Sequence, residues 1–210
     1  MPLRLQARLP FWSSARSFAF ADLGPLVDGE LELIAPSQQW IEAILAACRD
    51  RLTLEQSPAM AQTTRRQLLE FLSACPEGRQ NADPACGLLP CYHFWMRLAD
   101  RPDFPIAGGI SLRIGNTYDT VMYYGHVGYH VYPPSRGHHY ALRSCRLLLP
   151  LALRHGINPL WITCNPDNHA SRRTCDHLGA KLVEIVPVPL EHPLYLRGDK
   201  EKCRYRLDVV

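Results

Sequence analysis

Residues 29–35, GELELIA, alternate the apolar Leu31 and Leu33 with Glu30 and Glu32. A period of two puts one set on each face of a pleated chain, so the run predicts a half-buried strand. Pro36 and Ser37 follow, with Ser37 placed as a helix N-cap. Trp40, Ile41, Ile44, Leu45 and Cys48 then recur at helical spacing. A second helix is expected over residues 59–74. Residues 75–90, rich in Pro, Gly, Asn and Asp, predict a loop and a candidate mobile segment.

Residues 91–98 (CYHFWMRL) and 106–114 (IAGGISLRI) read as strands, with Gly115 and Asn116 as the turn that follows. Residues 121–132 (VMYYGHVGYHVY) predict one long strand. Its Gly125 and Gly128 mark a bulge or a backbone approached closely by another group. Pro133 and Pro134 end it. A helix is predicted over residues 137–155, kinked where Pro150 removes a backbone donor and stopped at Gly156. Residues 160–164 form a short buried strand and 168–178 a helix closed by Gly179. Residues 182–188 and 203–209 form the last two strands. No internal repeat or linker interrupts this order. The expectation is one α/β (α+β) domain with a mixed sheet over residues 29–210, preceded by an extension, residues 1–28, that packs on it.

Composition narrows the functional classes. A chain of 210 residues with 47% hydrophobic and 20% charged residues can bury a sizeable core. A formal net charge of +3 is too small to argue for a nucleic-acid partner. No apolar run approaches the roughly 18 residues of a membrane span, so no membrane partner is expected. The eight cysteines (Cys48, Cys75, Cys86, Cys91, Cys145, Cys164, Cys175 and Cys203) contain no CxxC pair, so no metal site is expected. They read as reduced thiols of a cytoplasmic protein. Arg4, Arg8 and Arg16 precede the first acid, Asp22. An organelle transit peptide has this composition, and so does a surface extension.

The chemistry concentrates in residues 125–180. A strand leads through Pro-Pro and Arg136-Gly137 into a helix. The first amides of a helix lack intrahelical partners and its dipole favours negative charge there, so this junction suits a pyrophosphate, with Arg136 adding a cation.

Residues 127–141, VGYHVYPPSRGHHYA, resemble the acetyl-CoA-binding segment of the GNAT (GCN5-related N-acetyltransferase) family. There a strand precedes Arg/Gln-x-x-Gly-x-Gly/Ala at a helix start. Asn168-His-Ala-Ser171, followed by Leu178-Gly179-Ala180, resembles the family's second CoA-contacting helix. The resemblance covers about residues 29–210. It implies a GNAT fold: a mixed, mostly antiparallel sheet flanked by helices, whose central strands splay to admit acyl-CoA. It implies acetyl-CoA as acyl donor and direct transfer of the acetyl group to an amine, on a small molecule or a protein. It also implies a backbone amide near Val131 on the thioester oxygen, and pantetheine along the strand edge at Tyr129, Val131 and Tyr132. Arg136, Gly137, His138, His139, Tyr140 and Ala141 would hold the pyrophosphate, and Asn168 and Ser171 the opposite wall. The family often dimerises, so a homodimer is among the expectations.

Two positions depart from the family pattern. His139 stands where glycine is usual. The pair His138-His139 is either a proton donor to phosphate or two exposed loop residues. Cys175, seven positions after Asn168, stands where many members carry the tyrosine that protonates the departing thiolate. Cys175, a water or no protein group then does that work. A covalent role for Cys175 needs a histidine on its helical face, and neither His169 nor His177 is spaced for it.

An attacking amine must be neutral, and histidine is the side chain suited to take its proton near pH 7. His126 and His130 are expected on one strand face with Gly128 and Tyr132. His126 is read either as base or water-positioner, near a common family glutamate, or as a hydrogen-bonded structural residue. Asp167, Asn168 and Ser171 read equally as helix caps. Arg172 and Arg173 read as a solvated face or as contacts to the 3′-phosphate. Trp40, Tyr92, Phe94 and Trp95 are either acceptor-pocket lining or core, and Glu191, His192 and Asp199 are placed to meet a cationic amine. Three readings remain: an N-acyltransferase, an acyl-CoA-binding module with weak turnover, and an unrelated phosphate-ligand protein. The last lacks both a P-loop and a GxGxxG run.

Overall fold

A computed structural model describes residues 18–209. The chain opens with a hairpin of β1 (Val27–Asp28) and β2 (Leu31–Ile34). Four helices follow: α1 (Ile41–Arg49), α2 (Arg51–Gln56), α3 (Pro58–Ala61) and α4 (Arg65–Ala74). The short β3 (Arg79–Gln80), β4 (Cys91–Leu98), β5 (Ile106–Arg113) and β6 (Val127–Val131) complete a first, six-stranded sheet. Its order is β1-β2-β4-β5-β6, every pair antiparallel, with β3 paired to β4. Helix α5 (Tyr140–Arg154) leads to a second sheet, β7 (Leu160–Cys164), β8 (Lys181–Pro187) and β9 (Glu201–Leu207), in the order β7-β9-β8. Helix α6 (His169–Leu178) joins β7 to β8, and α7 (Pro193–Leu196) joins β8 to β9.

Two cores flank the first sheet. Tyr92, Phe94, Met96 and Leu98 of β4 pack with Leu148 of α5 and with Ile162 and Tyr205 of the second sheet. On the other face Trp95, Ile106 and Tyr132 meet Ile44 and Cys48 of α1. With both faces covered, β4 carries apolar residues on both faces (Phe94, Trp95 and Met96 in succession) rather than strict alternation. Phe18, Phe20 and Leu23 also lean on the larger core, and the amide of Ala21 donates to Tyr92 Oη at 2.6 Å. Residues 1–17 of the proposed extension, including Arg4, Arg8 and Arg16, lie outside the described residues.

Several local expectations are corrected. The stretch 59–74 is two helices, because Thr64 and Gln67 form a reciprocal capping box that starts α4 afresh. The segment 75–90 contains β3 as well as turns. Helix α5 continues past Pro150, where a kink is expected, to Arg154. Pro150 is exposed, so the carbonyl it leaves unpaired faces water.

The largest correction concerns residues 121–132. Thr120–Tyr124 coil into one π-helical turn, and the strand begins only at Val127. An apolar run as short as VMYY fits either periodicity. Tertiary bonds decide it: Arg204 Nε donates to Val121 O at 3.0 Å and Thr163 Oγ1 to Tyr123 O at 2.7 Å. Gly125 ends the turn at φ +69, and a Cβ there would lie 2.9 Å from the Thr163 nitrogen. Both the positive φ and the closeness of β7 require glycine.

Candidate functional site

Strands β6 and β7 lie side by side yet belong to different sheets. Their shared end is pinned at His126. Its amide donates to Trp161 O at 2.7 Å, and the Trp161 amide donates to His126 Nδ1 at 2.9 Å. Since Nδ1 accepts, the neutral ring carries its proton on Nε2 and donates to Asn116 Oδ1 at 3.0 Å. The imidazole thus supplies a bond that a strand carbonyl would normally make. Beyond this point β6 and β7 diverge.

The gap is a cleft of about 800 Å³. Tyr132 N–H donates to Ala107 O of the β5 side at 2.8 Å. Alternation along an antiparallel strand then turns the amides of Tyr129 and Val131 toward the gap. Val131 O accepts from Arg136 Nε at 3.2 Å, which agrees with that direction. At the far end Gly137, His139 and Tyr140 lead into α5. Arg143 anchors α5 through Asp28 (2.7 Å) and Glu30 (2.6 Å) of the first hairpin, so the helix start is held fixed against the sheet. The opposite wall is α6, whose Asn168 side chain caps the helix by accepting from the Ser171 amide at 3.0 Å.

The charged side chains lining the cleft are Arg136, Arg173 and Lys202, and no Asp or Glu joins them among the described residues. Lys202 is paired with Asp199 at 3.1 Å. Among the described residues Arg136 reaches only neutral partners, Val131 O (3.2 Å) and, in the α2–α3 region, Ser57 Oγ (2.9 Å) and Gln56 Oε1 (3.4 Å). A groove with cations of one sign and an open helix start suits a polyanion.

A match to the acetyltransferase (GNAT) domain model spans residues 30–181, well over half the chain. The chain belongs to the GNAT acetyltransferase family. Solved structures of similar fold include the microcin C7 self-immunity acetyltransferase MccE, in complex with acetyl-CoA and AMP. It is 16% identical, with 87% of this chain and 94% of that chain covered and a TM-score of 0.63. RimL, a ribosomal L7/L12 alpha-N-protein acetyltransferase in complex with coenzyme A, is 18% identical over 89% and 98% of the two chains, with a TM-score of 0.62. A putative ribosomal-protein-serine acetyltransferase from Vibrio cholerae is 18% identical over 88% and 97%, with a TM-score of 0.61. No curated protein matches the chain in sequence.

In this GNAT domain the sequence-derived site residues fall into three groups. Tyr129, Val131, Arg136, Gly137, His139, Tyr140, Ala141, Asn168 and Ser171 line the cleft together with His130. Tyr132 and His138 do not: Tyr132 is buried in the smaller core, and the His138 ring stacks on Tyr140 outside the cleft. The expected shared face of His126 and His130 is also corrected. His126 is 0% exposed, precedes the strand and has both ring nitrogens engaged, and burial holds its pKa down to about 4. That geometry is the structural alternative, and it removes His126 as base or water-positioner. Cys175 is likewise 0% exposed and faces the core. Its thiol donates to Cys164 and is buried, so its pKa is raised, which removes it as acid or nucleophile.

The structure adds a contact and two cleft groups that the residue pattern does not reveal. Tyr129 Oη meets Ser171 Oγ at 2.8 Å, joining β6 to α6 across the cleft floor, and burial raises the phenol pKa. Arg173, read as a solvated face or a 3′-phosphate contact, lines the cleft, whereas Lys202 arrives from β9, far along the chain, and His177 from the α6 turn facing α5. Only the pairing of β9 with β7, and of α6 with α5, could have flagged them.

His139 adopts φ +58, the left-handed conformation that the family's usual glycine takes without strain. Its ring meets His177 at 5.9 Å between centroids. His139→Gly is expected to be at least as stable as the wild type. His139→Val, β-branched at positive φ, should lose about 1–2 kcal/mol in denaturant unfolding. A stable valine variant would contradict the strain.

A second cavity of about 240 Å³ opens on the other side of β6. It is lined by Phe71 of α4, by His93, Phe94 and Trp95 of β4, and by Ser111 of β5. Gly128, Tyr129 and His130 border both spaces. His130 is the titratable side chain at this junction that is neither buried nor locked: its ring reaches solvent, although the surrounding walls lower its pKa. It has room because its cross-strand partner is Gly109, where a Cβ would come within 2.9 Å of His130 Cε1. Of the other acceptor-side candidates, Trp95 and Phe94 line this cavity. Tyr92 bonds His155 (2.8 Å) in the core, Trp40 and Glu191 lie elsewhere, the His192 ring packs on Tyr123 and Tyr124, and Asp199 is occupied by Asn165 and Lys202.

Proposed function

We propose that the protein transfers the acetyl group of acetyl-CoA to an amine by direct attack in a ternary complex. The observation that carries this reading is the acid-free cleft that runs from the α5 start to the junction at His130. The diphosphate sits on the first amides of α5 with Arg136. Pantetheine runs along the free edge of β6, and an outward amide at Tyr129 or Val131 holds the thioester oxygen as negative charge develops on it. The amine nitrogen attacks the thioester carbon, the C–S bond breaks and the electron pair leaves on the CoA sulfur. The proton lost by nitrogen passes to His130, and the thiolate is protonated from solvent. No metal enters this scheme; among the described residues no His, Cys, Asp and Glu cluster could hold one.

One observation favours a second reading, acyl-CoA binding with weak turnover: His126 and Cys175 are both withdrawn from the cleft. One assay pair decides. Acetyl-CoA should raise Tm where ATP and NAD do not, because only a ligand of the folded state stabilises it. Thiol release from acetyl-CoA with an amine panel then separates enzyme from binder. Arg136→Ala should weaken acetyl-CoA binding about 10-fold, the size of one charge-assisted contact, by isothermal titration. An unaltered affinity would place the diphosphate elsewhere.

A further inference from the structure

The small cavity beside His130 has a consistent chemical character. Phe71 and Trp95 line it with their rings stacked on one another (centroids 6.5 Å apart, 29° between planes), and Phe71 also packs edge-on to His93 at 5.3 Å. Phe94 and Ile110, whose side chains pack into the larger core on the opposite sheet face, border it from the strand backbone, and Ser111 supplies a hydroxyl. None of its lining residues is Asp or Glu. The nearest cation is Arg113, whose guanidinium donates to Gly125 O at 3.2 Å. Burial and then Arg113 hold the His93 pKa down to about 4, and His93 is bonded to Gln80 Oε1 at 3.2 Å. An ammonium ion lying against these rings would give up part of its hydration and meet no carboxylate among the lining residues, which is unfavourable for the charged form.

Proton transfer points the same way. An alkylammonium with a pKa near ~10.4 is about 99.9% protonated at pH 7. His130, lowered by the walls around it, is too weak a base to remove that proton. It is competent for the far more acidic N–H formed once a neutral nitrogen has bonded to carbon. The volume is informative as well. A cavity of about 150 Å³ accommodates benzene, so about 240 Å³ admits one ring with a short substituent.

We propose that the acceptor is a small, flat amine of the arylamine class, which enters already uncharged and lays its ring against Phe71 and Trp95. This rests on the acetyl-transfer reading above. The nitrogen then faces the junction at Gly128 and His130, where both cavities meet.

The test is thiol release from acetyl-CoA at pH 7 with aniline and 4-ethylaniline, compared with spermidine and an N-terminally blocked lysine. The expected kcat/KM for the anilines exceeds that for spermidine by on the order of 100-fold, reflecting the scarcity of unprotonated alkylamine. Phe71→Ala should raise KM for 4-ethylaniline about 5–10-fold, the value of one aromatic contact, while the Tm increase given by acetyl-CoA is retained. Spermidine or lysine turning over as well as the anilines would overturn the proposal and leave acetyl transfer standing. Acetyl-CoA binding with no thiol release from any amine would overturn both. A Phe71→Ala protein with wild-type KM for 4-ethylaniline would overturn the placement of the ring.

Discussion

His126→Ala should unfold about 6–12 °C below the wild-type protein. The substitution leaves the Trp161 amide without an acceptor inside the core and opens a void where the imidazole stood. An orphaned buried donor costs about 1–3 kcal/mol, and the lost packing brings the total to about 3 kcal/mol. For a domain of this size each kcal/mol moves Tm by roughly 2–4 °C. The pH dependence carries the same information. Burial lowers the His126 pKa to about 4, against about 6.5 in an unfolded chain. Between those values the unfolded state binds a proton that the folded state refuses, so stability rises with pH there. The contribution is fully present above pH ~6.5 and is lost as pH falls through 4, up to about 3 kcal/mol in all. His126→Ala should flatten that part of the stability–pH profile. A variant that melts like the wild type, with turnover selectively abolished, would return His126 to the chemistry and refute its role as the pin between β6 and β7.

His130→Ala should lower kcat about 100-fold while acetyl-CoA binds with unchanged affinity, the lower range for removing a general base. Two features set this expectation: His130 borders both cavities, and no other unlocked histidine does. Gly109→Val offers an independent check, because a side chain there intrudes on His130 Cε1. It should reproduce much of the kcat loss with the histidine still present. Rapid-quench turnover of both variants, with acetyl-CoA affinity measured alongside, tests the assignment. Wild-type kcat in His130→Ala would mean that solvent alone receives the proton.

The sequence carried local information well where one signal dominated. β4 and β7 match their predicted bounds because each is a buried run closed by turn residues. Helix α6 matches within a residue because Asn168 caps its start and Gly179, at φ +81, its end. What was illegible depended on contacts between distant segments. Nothing near Val121 announces that Arg204 and Thr163 will claim its turn's carbonyls. The His126 environment is set by Trp161 and Asn116, so its residue type alone suited a base and a structural bond equally. The arginine-glycine helix start was legible as a helix opening, and the structure sets it on the cleft wall. That no acid among the described residues lines the cleft became visible only once β9 and α6 were in place.

That one-signed groove has a kinetic corollary. In the proposed placement its grip falls on the diphosphate end of the cofactor, which is identical in the acetylated donor and in the spent thiol. Binding energy shared equally by both leaves the chemical step untouched, so free CoA should compete with its own precursor nearly one for one. Flux through this protein would then follow the ratio of the two cofactor forms rather than the amount of either.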